Sequence, residues 1–425
     1  MSRRHNTNRL LKKSRGFDLK SRGMPVFTGM ADSIGKEDGF TLIELLIALA
    51  ISVFVLAGTT TLFAQLFAQF KQESRVSQTD IGSALGLQYM VKDIQSAGYG
   101  LPWDLNGAGY NEYVAGSCPN VTIDTDARNA NDAPGNPPRA IVTPGAGIFG
   151  EDYLSIKSIS VAVNDLGAGK STTLRAGPTT MAWLDLNNNP VQAETPAATD
   201  WVVVLSFPPN AQNQPVPTLQ TQGGAFSTQF NLHNLALFAP TDPSQTYMIY
   251  DVASAADASA TGPQMPFNRA DYFIANNSVP VFGAGKPTVP ARCASNTGEL
   301  VKAVVNQANG SFNYYPLMDC VAYMKVNFLR ASGAVADANT IYFNDNTAAL
   351  VQQDIKEVRV YILAQEGQRE PSYTAPGTFY LGDCATPPVA NPPICVPYNL
   401  NASQQNGYRW KVYTIVEKPF NLGAQ

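Results

Sequence analysis

Gly39-Phe40-Thr41-Leu42-Ile43-Glu44 runs directly into Leu45-Leu46-Ile47-Ala48-Leu49-Ala50-Ile51-Ser52-Val53-Phe54-Val55-Leu56-Ala57-Gly58. From Leu45 to Phe70 there are 26 residues without a charge. As a helix they would extend roughly 39 Å, more than the ~30 Å hydrocarbon core of a bilayer. The stretch predicts a membrane-spanning helix over 40–64, with one carboxylate, Glu44, at its mouth. A secretory signal has an apolar core of about 7–15 residues closed by small residues. This run is far longer and carries a charge inside its start. A carboxylate at bilayer depth costs about 2.5–3.5 kcal/mol on insertion scales, so Glu44 needs a partner.

These residues closely resemble the type IV prepilin signature. The resemblance implies that a membrane prepilin peptidase cuts between Gly39 and Phe40, that Phe40 is then N-methylated, and that Glu44 is the fifth residue of the mature chain. The new Phe40 ammonium, its own or a neighbouring subunit's, would answer the buried carboxylate. Glu44 also offsets the positive end of the helix dipole, which the ammonium opposes. Residues 1–39 become a removed leader, long for this family, with either Met1 or Met30 as the start. Basic residues ahead of the span favour an N-inside orientation.

Without residues 1–39 the chain keeps 20 basic and 29 acidic residues, net about −9. That sign is wrong for a general nucleic-acid grip, which neutralises phosphates with Lys and Arg. Apolar residues, at 44%, are ample for a packed core, whereas charge at 15% is low for a cytosolic enzyme. The five cysteines, Cys118, Cys293, Cys320, Cys384 and Cys395, all follow the span, where an oxidising compartment permits disulfides. Two bridges can be drawn in fifteen ways. The pairings favoured here are Cys384–Cys395, closing a Pro-rich loop, and Cys293–Cys320, with Cys118 unpaired.

No proline interrupts 40–101. Phe63, Leu66, Phe67 and Phe70 extend the apolar stripe, and Ala84, Leu87, Val91 and Ile94 resume it at helical spacing. A helix from about 41 to 97 is predicted, stopped by Gly98 and Pro102. Val91-Lys92-Asp93-Ile94-Gln95-Ser96-Ala97-Gly98-Tyr99-Gly100 resembles the helix end of PilW-like minor pilins, relatives of the J-type pseudopilins of type II secretion. Segments 354–364 and 408–416 resemble that family's last strands. The likeness is strong over 39–100, moderate over about 266–422 and weak to absent between. Strands are predicted at 153–163, 201–207, 247–252, 321–329, 340–343, 357–363 and 409–416 from β-branched and aromatic runs. Val358, Val360 and Ile362 alternate with Glu357, Arg359 and Tyr361, the period of a half-buried antiparallel strand.

Several motifs fail on context. Gly167-Ala168-Gly169-Lys170-Ser171-Thr172 ends like a phosphate loop, but Asn164 stands where its first glycine belongs and no helix start follows. Gly145-Ala146-Gly147-Ile148-Phe149-Gly150 fits GxGxxG by letters only, since a strand pattern follows. Asp185, Asn187 and Asn189 alternate like the first ligands of a calcium loop, yet Pro190 and Pro196 occupy its glycine and bidentate-glutamate positions. Asp124-Thr125-Asp126 is a weaker case of the same kind. Of two histidines, His5 goes with the leader and His233 stands alone. With no serine or metalloprotease motif, an enzyme is not expected, and no cofactor, metal or small-molecule substrate is implied.

The expected fold is α+β and type IV pilin-like: a long N-terminal α-helix, transmembrane in its first half, packed on a large antiparallel β-rich head. The expected division is leader 1–39, helix 40–97, a β-rich inserted region 98–265 and a C-terminal β-rich region 266–425. The resemblance implies a minor pilin anchored in the inner membrane with a periplasmic head, later on the pilus or cell surface. It would prime pilus assembly with other minor pilins and the major pilin, and sit at the tip. A J-type pseudopilin and a tip adhesin that binds a ligand through 103–265 are the alternatives.

Overall fold

The computed structural model describes residues 39–161, 171–177, 196–279, 281, 289–338, 348–385 and 393–423. The leader, the calcium-like run Asp185, Asn187 and Asn189, most of the phosphate-loop mimic and the strand expected at 340–343 lie outside these residues. The chain divides into two units, Met1–Gln65 and Leu66–Gln425.

Helix α1 runs from Leu42 to Ser96, in agreement with the expected bounds. Its first stretch is apolar on every side, and every residue from 42 to 71 is exposed. A helix that is apolar all round has no internal face to bury and needs lipid or other protein around it. Farther along, Ser83, Leu87, Met90, Ile94 and Ala97 are buried, spaced four and three apart on one helical face. Gly86 lies on the same side: a Cβ there would stand 2.0 Å from the Leu317 carbonyl, so only glycine permits this approach. Gly98, at φ +82°, ends the helix in the left-handed conformation, and its N–H donates to the Lys157 carbonyl at 3.0 Å.

Beyond α1 come α2 (Val121–Asn129), β1 (Ile141–Val142), β2 (Leu154–Ser158), β3 (Ser171–Arg175), β4 (Trp201–Ser206), β5 (Thr218–Leu219), β6 (Ser227–Gln229) and α3 (Leu232–Ala236). The chain continues through β7 (Thr246–Ala253), β8 (Asn268–Ala275), β9 (Gly298–Val305), β10 (Phe312–Arg330), β11 (Val335–Asp337), α4 (Ala348–Asp354) and β12 (Ile355–Glu366). Last are β13 (Thr378–Gly382), β14 (Cys395–Asn399), α5 (Ala402–Gln405) and β15 (Arg409–Glu417).

Eight strands form the main antiparallel sheet, in the order β1-β2-β8-β9-β10-β12-β15 with β11 on β10. Five more, β3-β7-β4-β5 with β6 on β4, form a second sheet, and β13 and β14 make a hairpin. The fold is α+β. In β12, Val358, Val360 and Ile362 are buried while Glu357, Arg359 and Tyr361 are only partly so, as the alternation predicts. The main core joins α1, α2 and the large sheet, including Ile94, Ile123, Ile156, Phe273, Val301 and Val360. The strands of the second sheet all precede residue 265 and most of the main sheet follows it, but β1 and β2 also precede it: β1 pairs with β2, and β2 with β8.

Candidate functional site

Around the start of α1 the backbone and side chains close a capping box. Thr41 precedes the first helical residue, and its N–H and hydroxyl both donate to Glu44 Oε2 at 3.0 Å. Glu44 N–H returns a bond to Thr41 Oγ1 at 3.3 Å. This is the S/T-x-x-E arrangement, which satisfies helix-end donors that have no intrahelical acceptor. The sequence reading pairs Glu44 with a Phe40 ammonium and with the helix dipole but not with Thr41, although Thr41-x-x-Glu44 ahead of an apolar run is the signal for this local role. Both Thr41 bonds fall on Oε2, so Oε1 is open to another partner among the described residues.

Gly39 and Phe40 precede the box and are exposed, Phe40 at 88%. A Cβ on Gly39 would meet nothing within 4 Å, and Gly39 is not among the glycines with positive φ. Nothing among the described residues asks for glycine there. The exposed apolar surface that follows, including Leu45, Ile47, Leu49, Val53 and Leu56, is far beyond what a soluble monomer tolerates.

In the head unit, the later part of α1 is fixed by polar contacts, buried at Asp93 and partly exposed at Asp80. Asp93 Oδ2 meets Lys302 Nζ at 2.6 Å and accepts the Tyr272 hydroxyl at 2.5 Å. Asp80 accepts Tyr413 OH at 2.6 Å and pairs with Lys411 at 3.0 Å, which holds its carboxyl below the usual range. Phe420 N–H donates to the Gln95 carbonyl at 2.9 Å. These bonds tie α1 to β8, β9 and β15.

The Cys293 and Cys320 sulfurs stand 1.98 Å apart and those of Cys384 and Cys395 2.04 Å apart, both at disulfide distance; Cys118 is buried and free. Among the described residues no group of three or more His, Cys, Asp and Glu could hold a metal ion. Asp124 lies in α2, where it accepts the Tyr113 hydroxyl at 2.8 Å and pairs with Arg128. His233 lies in α3. A cleft of about 400 Å³ beside α1 is lined by Arg75, Thr79, Ser83, Arg292 and Asp319, with Arg292 and Asp319 already paired. No nucleophile–base pair converges there.

Residues 34–60 match the model of the prokaryotic N-terminal methylation motif. No curated protein and no solved structure matches the chain. The motif, the apolar helix behind it and the antiparallel β-rich head together support a type IV pilin-like protein, a class that includes pseudopilins. They fit membrane anchoring through the N-terminus and imply processing by a prepilin peptidase and assembly with other pilins. The motif suggests a structural rather than an enzymatic protein.

Proposed function

We propose that this chain is a minor pilin of a type IV pilus, similar to the PilW-like group, which primes pilus assembly from the inner membrane. Prepilin peptidase cuts between Gly39 and Phe40, and the exposed Phe40 amine is methylated. The apolar part of α1 anchors the subunit until packing against other pilin helices replaces lipid contacts. Glu44 keeps Oε2 on Thr41 and offers Oε1 to the ammonium of an adjacent subunit, which fixes axial register. The periplasmic head, with the second sheet as its least family-like part, supplies lateral specificity and surface contact at the tip.

The observation that carries this reading is the junction itself. Gly39 is a glycine without a structural need, placed immediately before an uninterrupted apolar helix with a carboxylate in its first turn. In this reading the glycine serves the peptidase that cuts at the junction rather than the fold. The test is N-terminal sequencing and intact mass of the protein extracted from membranes. The expected chain begins at Phe40 and is one methyl group heavier than its sequence. A chain beginning at Met1 or Met30, or one cut after the span, would overturn the proposal.

A further inference from the structure

The glycine run that imitates a dinucleotide fingerprint has a use of its own. Residues 145–147 fold back on 151–153: Gly147 N–H donates to the Glu151 carbonyl at 2.7 Å, and Ala146 bridges to Asp152. A Cβ on Gly145 would stand 2.3 Å from Asp126 Oδ1, and one on Gly147 would stand 2.1 Å from Glu151 Oε1. Side chains are missing at both positions because carboxyl groups occupy the space. Asp126, on α2, is 5% exposed and Glu151 is 0% exposed. Among the described residues Asp126 Oδ2 and Glu151 Oε1 have no hydrogen-bond partner. One short loop therefore holds two buried carboxyls, each with a bare oxygen.

The charged groups on the neighbouring elements do not relieve them. On α2, Arg128 pairs with Asp124. On β8, Arg269 is held by Asp271 and Glu112, and on β10, Lys325 pairs with Asp152. The Tyr153 hydroxyl donates to Asp271 and the Tyr323 hydroxyl to the Gly150 carbonyl. Asp337 adds a further negative charge beside Asp152. The Phe149 N–H donates to Glu151 Oε2 at 2.7 Å, but two buried carboxylates with no cation paired to either among the described residues are costly, and a proton is the smallest remedy.

We propose that Asp126 and Glu151 form a proton-holding pair, and that the loop 144–152 loosens when its proton is lost as pH rises through neutrality. Burial, with the Glu151 charge adding to it, pushes Asp126 up to about 7, and burial pushes Glu151 up to about 7. Both folded values lie above the ordinary 3.8 and 4.5, so the native state binds protons more tightly than the unfolded chain. Stability from the pair is full below pH ~4, declines as pH rises, and is gone above pH ~7. A head outside the cytoplasm would meet such changes unbuffered.

The test compares the full chain in detergent micelles with the Asp126→Asn/Glu151→Gln double variant, by thermal unfolding at pH 5 and pH 8 with chelator present. Glu299, another carboxyl that burial pushes up to about 7, is common to both proteins, so the difference reports the pair. The wild type should lose several degrees more in Tm than the variant between the two pH values. Equal losses would overturn the proposal. Replacing chelator with millimolar calcium should change neither protein; a rise at pH 8 confined to the wild type would mean that the pair takes a metal, not a proton. Should the variant not fold, hydrogen exchange of wild-type amides 145–153 decides. Protection corrected for intrinsic rates should fall from pH 5 to pH 8, and unchanged protection refutes the pair.

Discussion

Helix α1 uses its apolar residues in two ways. From 42 to 65 they cover every side and none is buried; from 83 to 97 Leu87, Met90, Ile94 and Ala97 are, on one face, together with the polar Ser83 and Asp93. The first pattern makes no demand on the chain's own head and leaves all its surface to lipid or to other subunits. The second is an amphipathic helix with Asp93 paired inside the core. One continuous helix thus serves two solvents. Hydropathy alone would score the first stretch higher, yet only the second contributes to the stability of the folded head.

The largest effect expected is at the junction. Gly39→Val touches nothing in the fold, because a side chain there has open space around it. It should leave the head's unfolding midpoint unchanged and block leader removal nearly completely, seen as full-length protein on a gel. Normal processing of the variant would break the argument that the glycine answers to a peptidase. Next in size is Asp93→Ala, which strands Lys302 in the core. Removing one partner of a buried pair costs about 3–5 kcal/mol, read as a lowered urea midpoint. Because the penalty comes from the uncompensated charge, Asp93→Leu with Lys302→Met should recover much of the loss.

A matched pair of truncations sharpens the comparison further. Ile94, fully buried, should cost about 2–5 kcal/mol of head stability when cut to Ala. Leu49, 54% exposed, should cost less than about 0.5 kcal/mol by the same urea measurement. The ranking should invert for incorporation into filaments, where Leu49 is the surface at stake. If Leu49→Ala lowered the head's midpoint as Ile94→Ala does, the two stretches would not be separate in their energetics.

The helix was legible in the sequence because its evidence is local: composition for the first stretch, a 3.6-residue period for the second and Gly98 at the stop. β12 was legible because one face is buried and the other only partly. The centre of the main sheet was not. β8 and β9 are buried at all eight positions each, and they carry Arg269, Asp271, Glu299 and Lys302 inside. A period-two reading takes such charges as solvent-facing, so both strands were missed. Their burial depends on partners far along the chain, as when Arg269 reaches Glu112, 157 residues away, at 2.8 Å. β10 was recognised over 321–329 but runs from Phe312 to Arg330. Pro316 and Cys320, the latter at φ +55°, hide the rest at register shifts against β9. At the junction, Gly39, Phe40 and Glu44 stood out by order alone, while the box between Thr41 and Glu44 was overlooked in favour of a more distant partner.

That box allows the smallest effect to separate two roles of one side chain. Thr41→Ala removes the capping hydroxyl and should cost about 1 kcal/mol locally, fraying the first turn while leaving the Glu44 charge in place. Glu44→Gln does the converse, since glutamine at this position still accepts from the Thr41 N–H but carries no charge to meet an ammonium. If Glu44 acts through axial register, the Gln variant should insert normally and enter filaments several-fold less well, while Thr41→Ala enters nearly as well as wild type. Immunoblotting of sheared filaments against membrane fractions gives both quantities. Equal incorporation of the Gln variant, with loss confined to Thr41→Ala, would reduce Glu44 to a helix cap. The difference between the two stretches of α1 would then rest on hydropathy without a charge to set register.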